Sequence, residues 1–327
     1  MTRVRLAGCG MAVVVVALAL AAGPAWALDY PVRPVHVICP YPPGGTADIV
    51  ARLVAQAITE STGQSAVVED RAGAGGNIGA EVVAKADPDG YTLLASPPGP
   101  FATNVSLYKN LPYDSRTAFA PISIVAQSAS VLVANTKAPY HSVAELVAYA
   151  KANPKKVNYA SQGAGTTSHL TAAMMMEAAH IEMVHIPYKG SAPADADLIA
   201  GHVDVLWDNI GSTMSFIRAK QMQTLAVGGK TRSPELPDVP TMIELGYPDF
   251  VSIAWFAAAA PARTPPEIIN LLYKSISTYV KKPEVVQRLK TIGIDPVADT
   301  PEEMGKFVKE ETDRWAKVIK AEGIQLD

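Results

Sequence analysis

Cysteine is nearly absent from this chain: among 327 residues only Cys9 and Cys39 occur. Cys9 lies in a leader-like start, so the remainder has one thiol and no internal disulfide. Cys39 closes an apolar run, Val35-His36-Val37-Ile38, with no activating group beside it, and reads as a small buried hydrophobe rather than a nucleophile. Metal-ligand spacing is missing as well. No His-Glu-x-x-His occurs, and His180 and His185 do not stand at ligand spacing. Phosphate-loop signatures are absent: there is no Gly-x-x-x-x-Gly-Lys-Ser/Thr. The glycine-rich turn Arg71-Ala72-Gly73-Ala74-Gly75-Gly76-Asn77 fails the dinucleotide fingerprint, because Ile78 stands where Gly or Ala is required. A nucleophile elbow at Ser161 fails in the same way, with Tyr159 in the place of a glycine. Beyond the leader no run is long and apolar enough to span a bilayer. Charged residues make up only 18% against 49% apolar, which points to a well-filled core without a disordered tail.

The first residues are built differently. Arg3 and Arg5 give a basic start, an apolar run follows from Met11 to Ala22, and Ala25-Trp26-Ala27 is a small-x-small cleavage site. This pattern is a secretory signal peptide over 1–27, cut after Ala27, and implies export to the periplasm. A lipoprotein box at Leu6-Ala7-Gly8-Cys9 is rejected, because the apolar run follows Cys9 instead of preceding it. Loss of Arg3 and Arg5 moves the formal charge from −3 to −5, which argues against nucleic acid and an anionic membrane surface as partners.

The mature chain is organised around Pro40-Tyr41-Pro42-Pro43-Gly44-Gly45-Thr46-Ala47-Asp48. An apolar strand precedes it, and apolar positions at helical spacing follow from Ile49 to Ile58. Prolines end the strand pairing, glycines allow a tight turn, and the helix that follows presents unpaired amides with a partial positive charge. Such an end holds a carboxylate or phosphate without Lys or Arg. Strands are expected at 66–69, 91–95, 122–125, 130–134, 157–160, 183–187, 203–208, 223–227 and 252–260. Helices are expected between them and at the C-terminus, with capping boxes at Ser142/Glu145, Thr264/Glu267 and Thr300/Glu303, and a short helix near 241–245. The order gives two α/β domains, 28–126 plus 252–327 and an inserted 127–251, with a ligand cleft between them. A second strand–loop–helix unit, Ser161 to His169, aims free amides at the same side. Asp48 and Asp208 are candidate acceptors at strand or helix ends, and Tyr41, Phe101, Trp207 and Trp255 are candidate cleft walls.

Tyr30 to Pro34, Pro40 to Asp48, Glu69 to Gly79, Lys85 to Leu94, Leu107 to Asp114, Ser161 to His169, Pro187 to Gly190, Gly201 to Asn209 and Gly246 to Pro248 together resemble the receptors of the tripartite tricarboxylate transporter (TTT) family, also called Bug proteins. The resemblance implies a periplasmic binding protein of the type II, Venus-flytrap fold. It also implies a small carboxylate ligand and the large and small integral membrane subunits of a TTT transporter as partners, with no cofactor and no metal. A monomer is expected. It maps ligand binding onto Pro43, Gly44, Gly45, Thr46, Ala47 and Asp48, onto Ser96 and Phe101 after the third strand, onto Ser161, Gly165, Thr166, Thr167 and Ser168, and onto Asp208. Ser96-Pro97-Pro98-Gly99-Pro100-Phe101 is bulkier than the family's usual loop, which favours a flatter or aromatic carboxylate. Two rival readings share this scaffold: a sensor acting on a membrane kinase, and a hydrolase using Ser161 and His169.

Overall fold

The computed structural model describes residues 29–321 and 323–326. The expected leader, 1–27, lies outside them. The chain begins with β1 (Val35–Cys39), followed by helix α1 (Thr46–Thr62). Within α1 the buried Val50, Leu53, Val54, Ala57 and Ile58 recur at helical spacing and form one face. Gly63 ends the helix in the left-handed region, where glycine carries no steric cost, and returns its N–H to Thr59. Next come β2 (Ala66–Asp70), α2 (Asn77–Ala84) and β3 (Thr92–Ser96), and β1 pairs in parallel with both β2 and β3.

The two strand runs expected at 122–125 and 130–134 are one strand, β4 (Phe119–Asn135), of 17 residues. Ser128, between the two expected runs, and Ser130, at the start of the second, are buried and satisfied. Ser128 Oγ donates to Gly293 O at 2.9 Å, and Ser130 Oγ bonds Ser252 Oγ at 2.8 Å. After β4 come α3 (Val143–Ala152), β5 (Asn158–Ser161), α4 (Thr167–Ala179), β6 (Val184–Pro187), α5 (Ser191–Ala200), β7 (Val205–Asn209), α6 (Ile210–Arg218) and β8 (Met222–Val227). The helix expected near 241–245 is a turn: Thr241 and Glu244 exchange the two bonds of a capping box, but no helix continues from them. The chain ends with β9 (Ile253–Pro261), α7 (Pro266–Val280), α8 (Pro283–Lys290), β10 (Asp295–Pro296) and α9 (Pro301–Ala321). Thr300 and Glu303 form a reciprocal capping box at α9, as expected. Thr264 does not cap α7; its hydroxyl turns back to Pro261 O, and Pro265 and Pro266 set the helix start instead.

The sheet order is β2-β1-β3-β9-β4-β7-β5-β6, with β8 and β10 also on β4. It is mixed: β9 and β4 run antiparallel to their neighbours, whereas β5 pairs in parallel with β6 and β7. β4 joins the two ends of the molecule. Phe119 to Ala129 pair with β9, and Ser130 onward pair with β7 and β8. Helices α1 and α7 cover one face of the first half with Val50, Ile58, Leu272 and Ile276. On its other face Phe101, Trp255 and Met304 pack together. The second half has its own core around Leu132, Tyr159, Trp207 and Phe250.

Candidate functional site

One small cavity of about 20 Å³ lies where the strand ends of the two halves meet. Gly45, Thr46 and Ala47 line it at the start of α1, Thr166 and Thr167 at the start of α4, Gly190 and Ser191 at the start of α5, and Asn209 at the start of α6. Tyr41, Pro42, Pro97, Gly99, Gln162, Ala254 and Phe256 complete the wall. Four helix N-termini therefore converge on one space, and in none of them does the N-cap side chain bond the first turn. No residue of this lining carries a formal charge. Each helix start carries a partial positive charge at its free amides, which favours an anion in the cavity without a cation. Thr46 lines the cavity, and its Oγ1 is buried with no partner in the protein.

Local sequence explains the geometry. Gly45 is extended, with φ −90°, and a Cβ there would lie 3.3 Å from Ser191 Oγ on the opposite wall. Gly190 has φ +133°, and a Cβ there would lie 2.8 Å from Pro42. Gly190 admits only glycine, and a side chain at Gly45 would crowd Ser191, because the loops of the two halves touch across the cleft.

The expected site residues separate into three groups. Gly45, Thr46, Ala47, Thr166 and Thr167 line the cavity. Others hold the loops. Asp48 accepts the Gly44 N–H at 3.0 Å and pairs with Arg52, while Pro43 and Gly44 lie on the exposed side of their loop. Ser161 Oγ accepts the Gly163 N–H, Gly165 N–H donates to His169 Nδ1, and Ser168 Oγ donates to Trp207 O. Ser96 is buried, and its hydroxyl turns to Pro97 O. Asp208 is a hub: its Oδ1 accepts from Gln162 Nε2, Ser191 Oγ, Ser212 Oγ and the Asn209 N–H. The third group is a correction. Phe101 does not face the cavity; it stacks on Trp255 at 6.0 Å and borders a separate apolar cavity of about 390 Å³ with Phe119 and Met304. Trp207 and Trp255 are core residues too, at 1% exposure each. The aromatic walls are Tyr41, whose hydroxyl donates to Gly75 O, and Phe256, which the apolar run 252–260 had concealed.

The hydroxyl–imidazole pairing also differs from expectation. Ser161 meets His185 Nε2 at 2.7 Å, not His169. Tyr159, His185 and His169 form a stack, the two imidazoles 4.1 Å apart and nearly parallel. Burial pushes the His169 imidazole down to about 4. Burial and then its neighbour His169 push His185 down to about 3. Both rings are thus neutral, and they pin the 161–169 loop, His169 by accepting the Gly165 N–H and His185 by its bond to Ser161. Among the described residues no group of His, Cys, Asp or Glu is arranged to hold a metal. Beyond Tyr41 and Gln162, which border both spaces, an outer vestibule of about 260 Å³ opens between the glycine-rich turn 73–76 and Tyr188-Lys189.

The sequence profile of the tripartite tricarboxylate transporter family receptor matches residues 50–324. The chain belongs to the tripartite tricarboxylate transporter receptor family. The receptor is 40% identical to the protein BugT of Bordetella pertussis, over 95% of this chain and 96% of BugT. Its structure is similar to that of the R. palustris protein Rpa4515 with adipate, with a TM-score of 0.88 and 36% identity over 91% of this chain and 99% of that one. It is also similar to the periplasmic binding protein BugD, with a TM-score of 0.87 and 37% identity over 90% and 99% of the two chains. MatC from Rhodopseudomonas palustris, solved with bound malate, shares 30% identity over 89% and 100% of the two chains, with a TM-score of 0.84. The receptor is a periplasmic solute-binding protein of the Bug type, with the two-domain binding-protein fold, and a binding protein rather than an enzyme.

Proposed function

We propose that the receptor captures a small organic carboxylate, a di- or tricarboxylate or an aromatic carboxylate, in the cleft. It then delivers the ligand to the large and small membrane subunits of a TTT transporter. One observation carries this reading: four uncapped helix starts surround one uncharged cavity, lined by Thr46 among others. Free amides and hydroxyls at helix starts match a carboxylate, which accepts several hydrogen bonds and needs no cation when the dipoles already favour negative charge. The relatives solved with adipate and malate support the ligand class.

At about 20 Å³ the inner cavity admits about one water, so a carboxylate enters as the halves part. The rest of the ligand then runs past Tyr41 and Gln162 toward the vestibule. In this reading 28–126 plus 252–327 form one domain and 127–251 the other, with the hinge where β4 changes partners. The closed pair of domains is the surface that the membrane subunits read.

The test is a thermal-shift screen of mature protein stripped of co-purified ligand. The panel holds citrate, C4 to C6 dicarboxylates, acidic amino acids, nicotinate, benzoates and phthalates. A ligand at 100 times its Kd stabilises by about 2.7 kcal/mol, a shift of several degrees. Stabilisation by one carboxylate class, with the ligand recovered intact, supports the proposal. No shift with any carboxylate, or a ligand that is consumed, overturns it.

A further inference from the structure

Asp208 has a partner that neither the strand pattern nor the loop motifs single out. Asp195, on α5, is 1% exposed and stands one helical turn beyond Ser191, on the same face of the helix, and Ser191 Oγ donates to Asp208. Asp195 Oδ1 and Asp208 Oδ2 are both shut off from solvent and receive no N–H or O–H from any other group. The groups reaching Asp208 are neutral: the Gln162 amide, the Ser191 and Ser212 hydroxyls and the Asn209 N–H, all on Oδ1. Asp197, two residues beyond Asp195, takes no part; it bonds Tyr188 and His202 instead.

Two ionised carboxylates in contact inside a dry interior repel strongly, and one proton shared between them removes both the repulsion and the orphaned oxygens. Four donors on Asp208 Oδ1 stabilise its anionic form, so the proton belongs on Asp195. We infer that Asp195 is a positioning residue of the cleft: as a neutral acid it donates to Asp208 Oδ2, and Asp208 Oδ1 then holds Gln162 and Ser191 in the cavity wall. Burial, and then the adjacent Asp208, push the Asp195 carboxyl well above the usual carboxylate range, in keeping with this assignment. The pair also carries one negative charge instead of two beside a site built for an anion. The binding part of this inference rests on the carboxylate reading above; the proton part does not.

Two measurements separate those parts. The first is urea unfolding from pH 5 to 10 for the wild type and Asp195→Asn, without ligand. A carboxyl whose folded pKa is raised contributes stability below its ordinary pKa and loses it as pH rises through the raised value. The wild type is therefore expected to lose stability on the alkaline side relative to Asp195→Asn, which keeps a donor to Asp208 and has no proton to lose. Parallel pH profiles overturn the shared proton.

The second is calorimetric titration with adipate, and with citrate, succinate and benzoate, for the wild type, Asp195→Asn and Asp195→Ala. Asn is expected to rescue affinity to within about threefold of wild type at pH 7. It is also expected to remove the alkaline fall, which in the wild type approaches about tenfold per pH unit once the proton is lost. Ala leaves Asp208 Oδ2 without a donor and is expected to weaken binding at least about tenfold in a protein that still unfolds cooperatively. Wild-type affinity in folded Asp195→Ala overturns the positioning role. If the wild type binds no acid of the screening panel, the carboxylate reading and the positioning role fall together, and the pH profile still decides the proton.

Discussion

Substituting Gly45 by Thr tests how the cleft works, because the position joins a helix start to a cross-cleft contact. Its φ of −90° and ψ of 172° suit any residue, so no backbone strain follows. Threonine and glycine are comparable as N-caps, so the free protein is expected to keep its stability within a few tenths of a kcal/mol. Ligand binding is a different matter. A Cβ at this position lies 3.3 Å from Ser191 Oγ and 3.4 Å from Ser191 Cβ, and threonine adds two further atoms to that space. Its hydroxyl also reaches the first-turn amides that no side chain now caps. Losing one charge-assisted hydrogen bond costs about 1.5–3 kcal/mol, or roughly 10- to 150-fold in Kd. Crowding of the closed loops acts in the same direction. The assay is calorimetric titration with the acid selected by the thermal-shift screen, beside urea unfolding of the ligand-free protein. Gly45→Ala, which adds the same Cβ without an oxygen, separates crowding from capping. An unchanged Kd in folded Gly45→Thr refutes the reasoning. So does a loss of affinity matched by an equal loss of stability without ligand.

Thr46→Val removes a buried hydroxyl that has no protein partner. Stability without ligand is expected to stay within about 0.5 kcal/mol, whereas ligand affinity falls by about 1.5 kcal/mol or more, read by the same two assays. His169 is neutral in the folded protein down to about pH 4, against about 6.5 in an unfolded chain. Its contribution is therefore present above pH 6.5 and is lost as pH falls toward 4, by at most roughly 3 kcal/mol. Urea unfolding between pH 7 and 4 should show this acid limb in the wild type and a shallower one in His169→Gln. Glu311 Oε2 accepts both the Trp255 and Trp315 indole N–H groups at 3.1 Å. Glu311→Ala leaves two buried donors unpaired and is expected to cost about 2–5 kcal/mol; a loss below about 1 kcal/mol would refute that account.

The parts legible in the sequence are those that a local pattern dictates. The turn at Gly44-Gly45 had to lead from a buried strand into an amphipathic helix, and it does. The hydroxyl-rich loop before α4 had to expose amides, and Thr166 and Thr167 line the cavity. What local pattern does not carry is pairing between distant segments. The residues between 125 and 130 look like a break in a strand, but across the fold Gly293 satisfies Ser128 and Ser252 satisfies Ser130. Phe101 follows a strand end like the other wall residues, but the side chains of Trp255 and Phe119 draw it to the opposite face. Asp195 sits in an amphipathic helix as one acid among several, and only the approach of β7 makes it the partner of Asp208. Gln162 and Ser191 were missed for a related reason: they matter as Asp208's clients. The one available signal was that each follows a strand end, Ser161 directly and Pro187 by four residues.

The same physics explains why this scaffold serves different acids. If an anion is held by helix starts, the holding groups are backbone amides, and the contact between loops leaves no room for a side chain at Gly190 and little at Gly45. Nothing in that inner cavity distinguishes malate from adipate, the acids bound by two relatives of the receptor. Discrimination must then come from residues that meet the remainder of the ligand: Tyr41 and Gln162 at the boundary, and Gly73–Gly76, Tyr108 and Lys189 around the vestibule. Gln162 is held by Asp208, and Tyr41 by the Gly75 carbonyl, so the boundary is itself positioned by hydrogen bonds from both halves. Substitutions in the vestibule should therefore change which acid binds, whereas substitutions at the helix starts should weaken all acids alike. Parallel losses for every acid after a vestibule substitution such as Lys189→Ala would contradict this division.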